Sequence, residues 1–242
     1  MRQIVQTAVR LLYPPRCSAC GGLVDTDFGL CGACWRDTPF IGSTICEKCG
    51  IELPGDADGH VLQCDDCMQM PRPWDQGRAA LLYRGQARKL ILGLKHGDKT
   101  EIARIAAGWM ARAAHDLIRP GMLVAPVPLH WARLLKRRYN QSALLARAVA
   151  DETGLEHCPD LLARTKKTPP LEGKSFAERH MLVRDAVSVH PKHEHKLPGR
   201  PVLLVDDVMT SGATLAACTN ACIDAGAGSV CVLVLARVEK DH

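Results

Sequence analysis

The chain has 242 residues, 47% of them hydrophobic and 24% charged, which is enough for one α/β domain and a small accessory module. No apolar run approaches the roughly 18 residues of a membrane-spanning helix, and the first twelve residues are too polar and too short for a signal peptide. We therefore expect a cytoplasmic protein with no membrane insertion. Aromatic residues are only 4% of the chain, which argues against a stacking platform for single-stranded nucleic acid.

The first predicted element is a short amphipathic helix over residues 2–12, ended by Pro14 and Pro15. Four Cys-x-x-Cys pairs follow, and each makes a turn that presents two thiolates to one ion. Two such turns complete a tetrahedral site, so the spacing predicts two structural Zn²⁺ ions, each worth about 10–16 kcal/mol to folding. The expected ligands are Cys17, Cys20, Cys31 and Cys34 for one ion, and Cys46, Cys49, Cys64 and Cys67 for the other.

Pairing of neighbouring turns rests on their short loops, and crossed pairing of alternate turns stays open. Disulfides and an iron–sulfur cluster are the other interpretations, and a reducing cytoplasm disfavours the first. Eight thiolates and two Zn²⁺ ions would lower the formal charge from +5 to about +1. The positive charge is therefore local, which favours a phosphate-binding cleft over a surface that coats nucleic acid.

The Pro-Arg-Pro sequence at residues 71–73 indicates a linker. We accordingly assign the N-terminal helix and double zinc ribbon to residues 1–70, and a second domain to residues 71–242. In this second domain, apolar runs and amphipathic stretches alternate, which predicts an α/β fold with a mostly parallel sheet flanked by helices. Strands are expected over 79–83, 123–127, 187–189, 202–205 and 230–236, and helices over 86–94, 101–118, 141–152 and 215–225.

A basic stretch follows the strand expected to end at residue 127. Beyond Pro128 it contains Arg133, Lys136, Arg137 and Arg138. Four neighbouring cations repel one another unless an anion neutralises them, and arginine makes planar, bidentate contacts to phosphate oxygens. The pattern favours a pyrophosphate site, with a solvated helix start as the alternative. His190, His193 and His195 lie in a later polar connection whose spacing does not indicate a metal site.

Residues 202–214 are the most informative run. Four apolar residues predict a buried parallel strand, and two carboxylates, Asp206 and Asp207, follow at its carboxyl end, where ligands of open α/β sheets bind. A loop of small residues then leads into a helix, and its backbone N–H groups suit a phosphate. This loop contains Met209, Thr210, Ser211, Gly212, Ala213 and Thr214.

Carboxylates repel phosphate but accept hydrogen bonds from vicinal hydroxyls, so the run suits both ends of a ribose 5-phosphate. A Walker B strand of an NTPase is a rival interpretation, but its Walker A loop is missing, since position 168 carries Thr where that motif needs glycine. A strand, turn and helix without any ligand is a second rival, although two adjacent carboxylates at a buried strand end are costly without a partner.

The Asp-Asp loop resembles the ribose-phosphate motif of type I phosphoribosyltransferases. The order of the proline pair, the cysteine pairs, Leu94-Lys95-His96, Pro126-Val127-Pro128-Leu129, the basic stretch and the Asp-Asp loop resembles the ComF/GntX family over nearly the whole chain. The family's Arg-Gly-Phe-Asn-Gln reads Arg137-Arg138-Tyr139-Asn140-Gln141 here, and the glutamine of its Thr-x-x-Gln is replaced by Leu171.

The resemblance implies a type I phosphoribosyltransferase-like domain that binds phosphoribosyl pyrophosphate, or a related ribose phosphate, with Mg²⁺. It also implies a charged loop over residues 164–185 that closes on pyrophosphate, for which a plain exposed loop is the alternative. Its further implications are competence and DNA uptake, with single-stranded DNA and proteins of the competence machinery as partners. Neither an acceptor nor a catalytic residue can be assigned, so the choice between phosphoribosyl transfer, ligand sensing and an adaptor role stays open.

Overall fold

The computed structural model describes residues 13–27, 29–55, 60–129, 138–164 and 186–239. Its strands in chain order are β1 (Gln76–Leu82), β2 (Leu123–Pro126), β3 (Glu156–His157), β4 (Leu162–Arg164), β5 (Val187–Val189), β6 (Pro201–Met209) and β7 (Ser229–Arg237). Five of them form one sheet in the order β1-β7-β6-β2-β3, and all its neighbouring strands are parallel. The predicted parallel sheet flanked by helices is thus confirmed.

The helices are α1 (Gly32–Arg36), α2 (Asp65–Gln69), α3 (Gly85–His96), α4 (Glu101–Ala113), α5 (Gln141–Thr153) and α6 (Ala213–Asp224). None of the helices in the described ranges is both long enough and apolar enough to cross a membrane. The helix predicted over residues 2–12 lies outside the described residues.

Several elements differ from the expectations. The strand predicted over 202–205 extends to Met209, so Asp206 and Asp207 lie within it and not after it, and β3 and β4 were not predicted. The helix predicted to reach residue 118 ends at Ala113, and turns continue from there towards β2. The strand predicted at 187–189 is β5, but it pairs antiparallel with β4 in a separate two-stranded sheet. The polar connection after it contains a 3₁₀ helix, Pro191–Lys196, whose fixed proline φ suits a helix start.

Two hydrophobic cores lie on opposite faces of the main sheet, because successive residues of a strand point to opposite sides. In β6, Val202 and Leu204 belong to one core, and Leu203 and Val205 belong to the other. Helix α6 covers the face with Val202 and Leu204, which we call the first core, and helices α3, α4 and α5 cover the opposite face, the second core. Three cysteines of the metal module also lie in the first core, namely Cys46, Cys49 and Cys67.

The cysteine-rich module covers β1, which is an edge strand of the sheet. Phe40 forms an antiparallel bridge with Leu81, and the Leu82 amide donates to the Pro39 carbonyl at 2.9 Å. Gly50 has a φ of +68°, and a Cβ there would lie 2.5 Å from the Ala79 nitrogen of β1. Glycine is needed at this contact for both its conformation and its size. Backbone groups that would otherwise be exposed along the edge are thus partly paired.

A buried arginine with two partly exposed carboxylates joins the module to the sheet. The Arg78 guanidinium of β1 lies 2.8 Å from the Glu47 carboxylate and 2.5 Å from that of Asp116. Arg78 is 4% exposed, so both carboxylates offset the cost of burying its charge. The contacts join residue 47 of the module to residue 116, beyond α4. The division of the chain at residues 70 and 71 itself stays a prediction.

Candidate functional site

The eight paired cysteines form two tetracysteine clusters, each built from two neighbouring pairs. The first cluster is Cys17, Cys20, Cys31 and Cys34, and the second cluster is Cys46, Cys49, Cys64 and Cys67. The Sγ atoms of Cys20 and Cys31 are 3.8 Å apart, and those of Cys49 and Cys64 are 3.7 Å apart. Sulfurs held at about 2.3 Å around a tetrahedral Zn²⁺ ion would be about 3.8 Å apart. Both clusters fit structural zinc, and all twelve cysteines are free of disulfides.

Backbone amides support a thiolate in the first cluster. The Gly22 amide donates to Cys20 Sγ at 3.4 Å, and the Cys31 amide donates to Cys17 Sγ at 3.3 Å. Burial of Cys17 acts to raise its pKa, but the backbone donors outweigh it and lower the pKa to about 6. Burial and the neighbouring sulfurs raise the pKa of Cys34 to about 12, so the backbone donors favour the thiolate that binds a metal ion at Cys17 and not at every member of the cluster.

The two clusters differ in burial mainly at their second cysteine, since Cys17 and Cys34 of the first cluster are buried as well. Cys20 of the first cluster is exposed, whereas Cys46 and Cys49 of the second cluster have no exposed surface and Cys67 is 2% exposed. The difference follows from the docking of residues 46–50 against β1. Water and chelators therefore reach the first cluster more readily than the second.

The two predicted ribose-binding acids lie in the last part of β6, at the carboxyl end of the sheet. Asp206 Oδ1 accepts hydrogen bonds from Ser142 Oγ at 2.7 Å and from the Asp207 amide at 2.8 Å. Burial of the Asp206 carboxyl raises its pKa to about 7, and the charge of Asp207 adds to the effect. The two acids are therefore close enough to disfavour full ionisation of both.

Lys95 neutralises Asp207, and its place in the site was not predicted. Its Nζ lies 3.1 Å from Asp207 Oδ1, with both side chains largely buried. Lys95 is in the last turn of α3, after which the chain turns at Gly97. The sequence offers one signal for this residue, a lysine at the end of an amphipathic helix, but not its partner. A ligand that binds Asp207 would compete with this ion pair or share it.

The predicted phosphate loop leads from β6 into α6. Gly212 has a φ of +78° and is the N-cap of α6. The first N–H groups of a helix lack intrahelical partners, so those that follow Gly212 are available to an anion. Ser211 Oγ accepts from the Ala213 amide at 3.4 Å, and Thr214 is partly exposed in the first turn. The loop therefore combines backbone N–H groups at a helix N-terminus with the hydroxyl groups of Thr210, Ser211 and Thr214.

Buried arginines hold the other side of this loop. Arg72 Nη1 donates to the Ser211 carbonyl at 2.6 Å, and Arg237 Nη1 donates to the carbonyls of Met209 and Thr210 at 3.1 and 2.7 Å. Sequence reasoning missed both residues. Arg237 follows a continuous apolar run, and Arg72 stands between two prolines. Neither pattern indicates a contact with the loop, which for Arg72 lies 139 positions further along the chain.

The basic stretch lies only partly within the described residues, since Arg133 and Arg137 fall outside them. Pro128 is buried beyond the carboxyl end of β2, at the same end of the sheet as Asp206. Arg138 has a φ of +66° and its exposed guanidinium lies 3.7 Å from Asp98. Asn140 caps α5 by accepting from the Ser142 amide at 3.1 Å, which fixes the residue that contacts Asp206.

The other segments singled out from the sequence do not contribute described residues to the site around Asp206. Residues 165–185 of the predicted covering loop lie outside the described residues. The predicted histidine connection has no common centre for its three rings: His193 Nε2 pairs with Asp160 at 2.8 Å, near Cys158. A cavity of about 670 Å³ lies between the cysteine module and α4, with Trp35, Phe40 and Trp109 among its lining residues. None of the predicted site residues lines this cavity.

Comparisons with known proteins agree with the two parts of the chain. A family model described as a double zinc ribbon domain matches residues 8–68. The DNA utilization protein YhgH of Salmonella typhi is 30% identical over 235 residues, covering 94% of this chain and 99% of that protein. Competence protein F of Haemophilus influenzae is 29% identical over 206 residues, which cover 83% of this chain and 87% of that protein. The cysteine clusters and the parallel sheet thus define a double zinc ribbon protein with an α/β domain.

Within that class, the chain belongs to the ComF/GntX family. Solved structures similar to the chain include the allosteric regulatory enzyme of purine biosynthesis, at 24% identity and a TM-score of 0.36 over 55% of this chain and 25% of that one. Another is a hypoxanthine phosphoribosyltransferase of Trypanosoma cruzi, at 15% identity and a TM-score of 0.34 over 62% of this chain and 65% of that one.

The burial of the clusters predicts an order of zinc loss. The purified protein should contain two zinc ions per chain and release them to a chelator in two phases of one ion each. Because Cys20 is exposed, the first cluster should supply the fast phase, and Cys20→Ser should remove that phase while leaving the slow one. Elemental analysis that finds one zinc or fewer in folded, unchelated protein would contradict the two-site assignment.

The raised pKa of Asp206 predicts a pH-dependent effect of Asp206→Asn. The folded-state pKa of about 7 exceeds the unfolded value of about 3.9, so stability from protonated Asp206 is complete below pH ~4 and is lost as pH rises through ~7. Asparagine has no charge to lose and keeps an oxygen for Ser142. The free energy of unfolding of the variant, relative to wild type, should therefore increase from about pH 5.5 to about pH 8.5.

Denaturant unfolding at both pH values measures this difference. Asp224→Asn, at an exposed carboxylate of α6, is the matched control and should show little change between the two conditions. A pH-independent effect of Asp206→Asn would contradict the burial of an ionisable carboxyl at this position.

Proposed function

We propose that the α/β domain binds phosphoribosyl pyrophosphate, or a related ribose phosphate, at the carboxyl end of β6. The observation that carries the proposal is the adjacency of the acid pair to the N-terminus of α6. Asp206 and Asp207 lie in the last part of β6, which ends at Met209, and Gly212, the N-cap of α6, follows Asp207 after only five positions. The acids accept hydrogen bonds from the ribose hydroxyls, and the backbone donors of residues 210–214 hold the 5-phosphate.

The electrostatics of the site support this arrangement. Phosphate is repelled by the acids and attracted by the helix N-terminus, so the ligand can bind in one direction only. Lys95 lies beside Asp207 and could contact a pyrophosphate group while it still balances the acid. The basic stretch, with Arg133, Arg137 and Arg138, supplies the remaining cations for the pyrophosphate. Pro128 sets the start of that stretch at the same end of the sheet.

Phosphoribosyl transfer is the reaction that such a site serves. Carbon 1 of the ribose develops oxocarbenium character as pyrophosphate leaves, so stabilisation of the leaving group matters more than a strong nucleophile. Mg²⁺ bound with pyrophosphate supplies part of that stabilisation, and the cations of the basic stretch supply the rest. Asp206 and Asp207 orient the ribose. No described residue is assigned as a general base, and the acceptor is unidentified.

A second candidate function concerns single-stranded DNA. It is favoured by the names of the relatives, which are called DNA utilization protein and competence protein F. In this role the zinc ribbons would dock on cytoplasmic proteins of the competence machinery, and the α/β domain would sense a ribose phosphate. Binding of a labelled single-stranded oligonucleotide that weakens steeply with salt would support it. No binding at low salt would contradict it.

Replacing either acid by asparagine tests the ribose contacts. Each of Asp206→Asn and Asp207→Asn removes a charge-assisted hydrogen bond to a hydroxyl and should weaken phosphoribosyl pyrophosphate binding roughly ten- to hundredfold. Calorimetric titration with Mg²⁺ present measures the affinity. Inorganic pyrophosphate, which has no ribose, should bind both variants as it binds wild type. Unchanged affinity of both folded variants for phosphoribosyl pyrophosphate would refute the role of the acids.

Thr214→Val should also weaken binding, because it deletes a hydroxyl donor to the phosphate. Gly212→Val is a poor test, since a Cβ at Gly212 would lie 2.9 Å from the Trp74 ring whether or not a ligand is bound. The positive φ of Gly212 would add strain.

The basic stretch has its own test. A double variant, Arg137→Ala and Arg138→Ala, should lose more affinity for phosphoribosyl pyrophosphate than for ribose 5-phosphate, because only the first ligand carries the distal anion. Calorimetry measures the affinity of the variant relative to wild type for each of the two ligands. Arg88→Ala, at an exposed arginine of α3, is the control. Equal losses for both ligands would show that the stretch is not a pyrophosphate site.

A further inference from the structure

Three consecutive carbonyl groups of the phosphate loop face two buried guanidiniums. Arg237 donates hydrogen bonds to the carbonyls of Met209 and Thr210, and Arg72 donates to that of Ser211. Arg237 is 2% exposed and Arg72 is 7% exposed, so these charge-assisted bonds form away from bulk water.

This arrangement determines which way the loop presents its polar groups. Carbonyl oxygens that pointed to the ligand side would repel a phosphate. Because they point to the guanidiniums, the N–H groups of the following residues are left to face the opposite side, as an anion-binding loop requires. Two positive charges behind the loop also favour an anion in front of it. The arginines can thus act on ligand affinity without touching the ligand.

Both guanidiniums also reach the second cluster. Arg72 Nε donates to Cys67 Sγ at 3.5 Å, and Arg237 Nη2 lies 4.0 Å from the carboxylate of Asp66, the residue before Cys67. Four thiolates around one Zn²⁺ ion carry two net negative charges. Buried cations need a nearby anion, and the loaded cluster supplies one. Loss of the ion would remove the bonds that hold the Cys67 sulfur in place, and Arg72 would lose a fixed acceptor.

A tryptophan forms a second connection between the same two regions. The Trp74 ring packs against Gly212, where an added Cβ would meet it at 2.9 Å. Trp74 Nε1 donates to the carbonyl of Lys48 at 2.5 Å, and Lys48 lies within the Cys46–Cys49 turn. In the opposite direction, Lys48 Nζ donates a hydrogen bond to the Trp74 carbonyl at 3.0 Å. The turn that holds the metal therefore fixes the ring that supports the loop.

We propose that Arg72 is a positioning residue that couples zinc in the second cluster to the conformation of residues 209–214, and so to ribose 5-phosphate binding. The first cluster has no such connection among the contacts described, and its zinc is uncoupled from the loop. The ligand part of this coupling rests on the proposed function. By linkage the coupling is reciprocal, so the ligand slows zinc release from the second cluster and not from the first.

The experiment uses the full zinc-loaded chain and measures zinc release to a chromogenic chelator, with hydrogen exchange of peptides that cover residues 209–214. Arg72→Met keeps an unbranched apolar stem and removes the hydrogen bonds to Cys67 and Ser211. We expect about tenfold faster release from the second cluster and a loss of exchange protection in the loop. Arg72→Lys, which retains the charge, should restore part of the slow zinc release and part of the exchange protection. Arg88→Met is the exposed control.

Wild-type protein gives a test that needs no substitution. Saturating ribose 5-phosphate should slow the second-cluster phase of release and leave the first-cluster phase unchanged, with Cys20→Ser used to assign the phases. If ribose 5-phosphate does not bind wild type, the proposed function fails, while release and exchange in Arg72→Met still decide the coupling. Equal acceleration of both phases in Arg72→Met, or unchanged release and loop protection, would overturn the proposal.

Discussion

The second tetracysteine cluster lies inside the main hydrophobic core, and the arrangement of the ligand site depends on that placement. Cys46 and Cys49 are fully buried among side chains of β6, β7 and α6. The cysteine-rich segment has too few apolar residues for a core of its own, so metal–sulfur bonds supply the rigidity that side-chain packing supplies elsewhere. Through Arg72 and Trp74, the same rigid turn reaches the loop that begins α6.

The acid pair is costly in the absence of ligand, and the surrounding residues reduce that cost. Asp206 accepts two hydrogen bonds, and Lys95 balances Asp207. The pKa of Asp206 nevertheless stays raised to about 7 by burial and by its neighbour. Functional sites commonly keep groups in such unfavourable states because the ligand completes their bonding. Two hydroxyl donors on adjacent ribose carbons are a suitable complement to two adjacent carboxylates.

The sequence predicts the parts of this protein that depend on local pattern. The buried strand around Asp206, the helix after Gly212 and the pairing of neighbouring cysteine turns are all local features, and each is found, although the strand runs four residues further than expected and the helix begins two residues earlier. The helix end at Ala113 was misplaced because apolar periodicity continues into the turns that follow it. β5 was expected in the main parallel sheet, but the sequence of a three-residue strand does not indicate which strand it pairs with.

Contacts between distant segments were beyond the reach of sequence patterns. Arg72 and Ser211 are 139 positions apart, and Lys95 and Asp207 meet only because α3 and β6 end at the same side of the sheet. The burial of the second cluster in the α/β core was also unexpected, because a ribbon module is ordinarily counted as a separate unit. These tertiary contacts determine the charge balance of the site, whereas the local motif determines its donors and acceptors.

The central claim is that adjacent carboxylates recognise the vicinal hydroxyls of a ribose whose 5-phosphate lies at the start of α6. Its most direct test is calorimetric titration of zinc-loaded wild-type protein with ribose 5-phosphate and with 2-deoxyribose 5-phosphate. The two ligands share the phosphate and differ by one hydroxyl. The account predicts that ribose 5-phosphate binds and that the deoxy sugar binds roughly tenfold or more weakly. Equal affinity for the two sugars would contradict it.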